Sequence, residues 1–134
     1  MNFKLFFLES EDKFLSPEET ANLVSKIRAG DGRSKNRGSV SPESIRKPHV
    51  LTRVQLSQIP TEVVDFLKQT TDPKRVAAYA SQKIDTPVFL TRRRNAEGYG
   101  VSDGGHRVLA AIARGDKDIP AIIPAENQPL RTEL

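Results

Sequence analysis

Residues 98–115 restrict the possible folds of this chain most strongly, because they combine the patterns of a strand, a tight turn and a helix. Tyr99 and Val101 suit a strand, and residues 103–105 (Asp-Gly-Gly) are typical of a turn, since glycine adopts backbone angles that are closed to other residues. The Ala- and Leu-containing sequence that follows favours a helix, and Gly115 stands where a left-handed C-cap belongs. We therefore expect a strand–turn–helix unit here.

The predicted turn has the chemistry of an anion site. The first N–H groups of a helix have no partner within the helix, and the helix dipole adds partial positive charge at that end. Gly104 and Gly105 would let a phosphate approach the backbone closely, while His106 and Arg107 would add side-chain donors. An ordinary strand–turn–helix with an exposed His-Arg pair explains this short motif equally well, so both interpretations stay open on the motif alone.

The surrounding sequence resembles the ParB/sulfiredoxin superfamily. Residues 102–107 (Ser-Asp-Gly-Gly-His-Arg), the Ala-rich helix and residues 118–123 (Asp-Ile-Pro-Ala-Ile-Ile) are similar to the glycine-rich turn, helix and following strand that its members share. The resemblance spans about residues 51–124, and its most specific part is the Asp-Gly-Gly-His-Arg box. Three upstream segments look like the family's opening strand, first helix and next strand: 54–59, 72–76 and 86–90.

The resemblance implies that a nucleoside triphosphate, ATP or CTP, binds at the glycine-rich turn. Backbone N–H groups of the glycines would hold phosphate, and basic side chains from the turn, the opening strand and the first helix would surround it. The residues assigned to the nucleotide in this way are Ser102, Gly104, Gly105, His106, Arg107, Arg53, Lys74 and Arg75.

The reaction is less well defined by the sequence than the binding. The chain contains no cysteine, which excludes the sulfinic-acid reduction of sulfiredoxins. Partition proteins carry Arg-Arg where this chain has His106 and Arg107, so the preference for CTP is open. The candidate catalytic residues for an NTPase or nuclease reaction are Asp103, His106 and Arg107. Asp103 either caps the following helix or holds Mg²⁺ through water, and capping is the favoured role.

Charge and composition define the class of partner only broadly. The 134-residue chain carries a net charge of +4 with a pI of about 9.6, which fits a polyanionic partner but is also common among proteins that have none. This length is typical of one domain with short appendages. The apolar residues 1–8 are too few for the core of a signal peptide, so we expect a cytoplasmic protein that does not enter the membrane.

Two basic segments are candidates for binding a nucleic-acid backbone. One is a predicted hairpin turn, and the other is a predicted flexible linker at residues 31–49, in which His49 also falls. A solubilising hairpin tip and a solvated loop are the alternative interpretations. The candidate contacts are Arg92, Arg93 and Arg94 in the hairpin, with Arg33, Lys35 and Arg37 in the linker.

The remaining segments complete the predicted organisation. Residues 1–30 form an N-terminal extension, with a strand at residues 2–8 and a helix that begins after Ser16 and ends at Gly30. Its start follows the Ser-x-x-Glu pattern of a capping box, with Pro at the first helical position. Residues 50–124 form the ParB/sulfiredoxin-like domain, and residues 125–134 form a polar tail.

These patterns predict an α/β (α+β) fold, with a small mixed sheet flanked by helices. The expected function is binding of nucleotide phosphate, acting on or near DNA with weak NTPase or nuclease activity, as in plasmid or phage accessory proteins that share this domain. The alternative is a catalytically silent adaptor or inhibitor that binds a protein partner through the same fold.

Overall fold

The computed structural model describes residues 12–30 and 47–127, which form a mixed α+β fold, as the sequence predicted. The strands are β1 (Lys13–Leu15), β2 (His49–Gln55), β3 (Val88–Arg92), β4 (Tyr99–Asp103) and β5 (Asp118–Pro124). The helices are α1 (Pro17–Gly30), α2 (Thr61–Thr70), α3 (Pro73–Ala80) and α4 (Gly105–Arg114). Two short 3₁₀ turns follow β2 and β5, at Leu56–Gln58 and Ala125–Asn127.

The five strands make one mixed sheet in the order β1-β2-β5-β3-β4. All neighbouring pairs are antiparallel except β3 and β5, which run parallel. The chain passes from β4 through α4 to β5, so the end of β4 delivers residues directly to the start of α4. β1 and β4 are the edge strands of the sheet.

Helices cover both faces of this sheet. Helix α1 packs on one face through Val24 and Ile27, against apolar side chains that include Phe89 and Ile122. Helices α2, α3 and α4 cover the other face, where the larger cluster of buried side chains lies. A strand that is buried on both faces of a sheet contains consecutive apolar residues rather than alternating ones. The central strand β5 fits this rule, because residues 119–123 are all buried.

The predicted start of α1 is confirmed in detail. The Glu19 amide donates to Ser16 Oγ over 3.1 Å, and the Ser16 amide donates to a Glu19 carboxylate oxygen over 3.0 Å. This reciprocal pair is a capping box. The hydrogen bonds with Ser16 lower the pKa of Glu19. The extension is therefore part of the fold, since β1 also pairs with β2, although the sequence analysis did not predict β1.

Some segments differ from the sequence analysis, and others lie outside the described residues. His49 is not part of a linker, because it is the first residue of β2 and its side chain is fully buried. Ala125–Asn127 is an ordered turn, in which Glu126 pairs with Lys47. The predicted strand at residues 2–8 and the greater part of the predicted linker, residues 31–46, lie outside the described residues.

In residues 12–30 and 47–127, no helix combines the length and the apolar character that crossing a bilayer requires.

Candidate functional site: the cleft at the start of helix α4

A cleft of about 330 Å³ opens at the first turn of α4. Its floor comes from the end of β4 and the glycine turn, and its walls come from the last turns of α2 and from α3. The lining includes the predicted residues Ser102, Asp103, Gly104, Gly105, His106, Arg107 and Arg75. The structure therefore gathers most of the predicted nucleotide site around one cleft.

The two glycines of the turn are required by packing. Gly104 has a φ of +100°, and a Cβ built there would lie 2.6 Å from Val88 Cγ1 on β3. A Cβ on Gly105 would lie 2.8 Å from Leu67 Cδ2 on α2. These close approaches seat the start of α4 between β3 and α2 while leaving both glycines partly exposed to the cleft. The absence of a side chain at both positions therefore allows close packing and leaves the backbone of the turn open to the cleft.

Asp103 lies one residue before the N-cap position of α4. The N-cap residue of α4 is Gly104, and Asp103 is the buried last residue of β4. Next to it, the Ser102 hydroxyl lies 3.4 Å from Thr91 Oγ1. The register of the two strands shifts between Phe89 and Leu90, and Asp103 pairs with Phe89. Asp103 is the only carboxylate among the described residues that line the cleft.

His106 connects the starts of two helices. The backbone amide of Asp72, the N-cap residue of α3, donates to His106 Nε2 over 3.0 Å. A ring nitrogen that accepts a hydrogen bond carries no proton, so Nδ1 carries the ring proton in the neutral imidazole. His106 therefore joins α4 to α3 through Nε2, and Nδ1–H is the donor group of its ring.

Arg107 is a buried cation beneath the turn. Its side chain is only 3% exposed, and Nη2 lies 3.4 Å from the Pro87 carbonyl oxygen. Nη2 also lies 3.1 Å from the position of a Cβ on Gly104, so a glycine there leaves room for the guanidinium. Arg107 therefore places a buried guanidinium in the lining of the cleft, where water screens its charge poorly.

The structure decides between the two basic candidates on α3. Asp72 caps this helix, because its carboxylate accepts from the Lys74 amide over 2.9 Å and Pro73 follows it, as the sequence predicted. Lys74 and Arg75 are both exposed in the first turn. Arg75 lines the cleft, whereas Lys74 is not among the lining residues. Arg75 is therefore the cation that α3 contributes.

Arg53 does not join the cleft. It lies on β2, where its guanidinium binds Asp118 of β5 through Nε at 2.8 Å and Nη2 at 2.7 Å. In the sheet, β4 lies on one side of β3, whereas β2 and β5, which contain Arg53 and Asp118, lie on the other side. Arg53 therefore lies apart from the glycine turn, although the resemblance assigned it to the nucleotide at that turn.

The hairpin arginines lie at the other end of β4 from the cleft. Arg93 is paired with Glu62 at 3.0 Å, and its hydrogen bond lowers the pKa of that carboxyl. Arg92 and Arg94 are exposed. Two residues of the hairpin are therefore oriented towards solvent and one is tied to α2. The predicted contacts Arg33, Lys35 and Arg37 lie outside the described residues.

Phe66 and Tyr79 line the same cleft, and the sequence analysis did not assign either of them to the site. Phe66 is 62% exposed, although it lies on α2 at helical spacing from the partly buried Val63. Helical periodicity places such residues in a core. No sequence signal distinguishes this phenylalanine from its buried neighbours, because its exposure depends on which elements pack against α2.

The cleft offers limited means to hold a metal ion. In the part of the chain that the structure describes, no group of three or more His, Asp or Glu side chains could hold one. Nucleotide-bound Mg²⁺ needs only one or two carboxylates, because phosphate oxygens and water complete its coordination. Asp103 is the residue that fits this requirement.

Comparisons with protein-family models, curated proteins and solved structures find no match to this chain. The resemblance to the ParB/sulfiredoxin superfamily therefore stays a prediction from the sequence.

Proposed function

We propose that the protein binds the phosphate groups of a nucleotide in the cleft at the start of α4. One observation carries this proposal: the first turn of α4 lines the cleft, beside the start of α3 to which the hydrogen bond from the Asp72 amide joins His106. The start of α4 presents partial positive charge, and the N–H groups of its first turn have no partner within that helix. An anion in the cleft would interact favourably with this end of α4.

Side-chain charge adds to the field at the start of α4. Arg75 in the first turn of α3 opposes the dipole of its own helix, at a cost of about 0.3–1 kcal/mol. A bound phosphate beside Arg75 would offset that cost and accept a charge-assisted hydrogen bond from it. Arg107 contributes charge from beneath the turn, and the His106 ring carries its donor at Nδ1. The cleft therefore holds two cationic side chains, one imidazole donor and one carboxylate.

The ligand we propose is ATP or CTP. Mg²⁺, when bound, would neutralise charge on the phosphates, and Asp103 is the residue that would hold it through water. A weak NTPase or nuclease activity is part of the proposal, with Asp103, His106 and Arg107 as the candidate catalytic residues. DNA is the proposed site of action, and the exposed Arg92 and Arg94 are the proposed backbone contacts. The proposed location is the cytoplasm.

A thermal-shift series tests nucleotide binding. We expect ATP or CTP, with or without Mg²⁺, to raise the melting temperature, because a ligand at a hundredfold its Kd adds about 2.7 kcal/mol to the unfolding free energy. Arg75→Gln should reduce this shift. Lys74→Gln removes the same charge from the neighbouring position outside the cleft lining, so it should leave the shift nearly unchanged. Equal losses in the two variants, or no shift with any nucleotide, would contradict the proposal.

A second candidate function is binding of a protein partner, and one surface favours it. A largely apolar groove of about 740 Å³ runs between α3 and α4, and Ile112, which is 37% exposed, lies in it. This adaptor function takes precedence if the thermal-shift series shows no nucleotide binding. A partner protein that binds the unaltered protein but not the Ile112→Glu variant would then identify the groove as the binding surface.

A further inference from the structure

One of the two most exposed aromatic side chains among the described residues lies in the cleft. Phe66 is 62% exposed and projects from α2 into the lining that also contains Arg75 and the glycine turn. Leaving a phenylalanine in water forgoes the free energy that its burial would contribute. An aromatic residue that is kept exposed inside a concave site points to a ligand with its own apolar surface.

In the part of the chain that the structure describes, the other large exposed apolar side chains lie elsewhere. Phe14 is 65% exposed on the edge strand β1, and Ile112 is 37% exposed on α4 in the groove beside α3. Tyr79 of α3 adds a second, partly buried aromatic ring to the cleft. The cleft therefore combines aromatic surface with cationic groups, whereas a site for bare phosphate needs only the cations.

We infer that Phe66 is the stacking platform for the nucleobase of a ligand whose phosphates lie at the start of α4. This inference rests on the nucleotide binding proposed above and adds a residue that selects for a base. Aromatic side chains stack bases of any sequence, because every base has a π-face. The shared chemistry is a nucleobase joined to phosphate, supplied either by a free nucleotide or by the end of a nucleic-acid single strand.

The size of the cleft suits one nucleotide unit. Small-molecule sites have volumes of roughly 300–1,000 Å³. At about 330 Å³, this cleft lies at the lower end of that range. A single base with its sugar and phosphate suits such a volume, and any further nucleotides of a strand would extend outside it.

Isothermal titration of the whole chain with four probes tests the platform. The probes are ATP, CTP, inorganic tripolyphosphate and a 5′-phosphorylated pentathymidylate. We expect the wild-type protein to bind at least one base-containing probe more tightly than tripolyphosphate. Phe66→Ala should lower the affinity for that probe by about 5- to 150-fold, the factor that corresponds to one stacked base. The affinity for tripolyphosphate should not change. Phe66→Tyr should restore most of the affinity.

The controls separate this inference from the proposed function. Phe14→Ala removes an equally exposed phenylalanine far from the cleft and should leave all four affinities unchanged. If the affinity of Phe66→Ala for the base-containing probes is within twofold of the wild-type affinity, Phe66 is not a stacking platform, and the proposed nucleotide binding is unaffected. If the wild-type protein binds none of the probes, both are overturned. Tighter binding of the pentathymidylate than of ATP and CTP, lost in Phe66→Ala, supports the platform and identifies strand ends as the ligand.

Discussion

At the scale of single residues, the burial of His49 links the stability of the fold to pH. Its imidazole is fully buried at the start of β2, with Nδ1 2.7 Å from the Lys47 carbonyl oxygen and the ring edge-on to Phe89. Nε2 makes no hydrogen bond within the described residues. Burial therefore lowers the pKa of His49 below the ordinary value of 6.5, and the hydrogen bond with the Lys47 carbonyl oxygen offsets only part of that effect.

We predict that the unfolding free energy falls as the pH drops from 7.5 to 5.5. The unfolded chain binds a proton at His49 near pH 6.5, whereas the folded chain does so only at lower pH. The unfolded state thus holds more protons in this window, and acid favours it. Urea unfolding at several pH values measures the effect. His49→Gln should show a smaller loss than wild type, whereas His106→Gln, which keeps His49, should retain the contribution of His49. An identical pH profile for His49→Gln and wild type would contradict the prediction.

At the scale of elements, α4 is bounded by two left-handed glycines with different surroundings. Gly104 has a φ of +100° and faces Val88, whereas Gly115 has a φ of +81°, and a Cβ added there would meet nothing within 4 Å among the described residues. The Gly115 amide donates to the carbonyl oxygens of Ala111 and Ile112, as a C-cap does. One end of the helix therefore needs glycine for its backbone angle alone, and the other needs it for packing as well.

We predict that Gly104→Ala destabilises the protein more than Gly115→Ala does. The left-handed conformation costs alanine about 1–2 kcal/mol at either position. At Gly104 the contact with Val88 adds the cost of overpacking, about 1–3 kcal/mol. We therefore expect losses of about 1–2 kcal/mol for Gly115→Ala and about 2–5 kcal/mol for Gly104→Ala in chemical denaturation. Equal losses would mean that β3 yields to the added methyl group.

At the scale of the whole molecule, the two basic surfaces lie at opposite ends of β4. The strand runs over five residues, from Tyr99 beside the hairpin to Asp103 beside the cleft, which separates its ends by about 13 Å. The Asn127 side chain accepts from the Arg92 amide at 3.0 Å, and the Asn127 carbonyl accepts from the Tyr99 hydroxyl at 3.2 Å. The hairpin is thus anchored away from the proposed nucleotide site.

We predict that DNA binding and nucleotide binding respond to different substitutions. Replacing Arg92 and Arg94 by Ala should weaken DNA binding and lower its salt slope by about 0.9 for each lost phosphate contact, without changing nucleotide affinity. Arg75→Ala should do the reverse. Arg75 suits this test better than Arg107, because truncating a buried cation also disturbs the fold. Fluorescence anisotropy with DNA at several salt concentrations and calorimetry with ATP measure the two affinities. A loss of both affinities in either variant would contradict the separation.

The sequence by itself determined the features that depend on residues close together in the chain. The capping box at Ser16, the N-cap at Asp72 and the left-handed C-cap at Gly115 each join groups within a few positions, so local chemistry was enough to predict them. The strand–turn–helix unit belongs to the same class, because backbone angles and helix propensity specify it locally.

The tertiary structure decided everything that depends on which elements lie side by side. It buried His49, left Phe66 in water, and chose Arg75 rather than Lys74 for the cleft. It also paired Arg53 with Asp118, a residue far along the chain. A residue's burial and charge partners come from neighbours that long-range packing brings together, and the periodicity of a single segment contains no record of those neighbours.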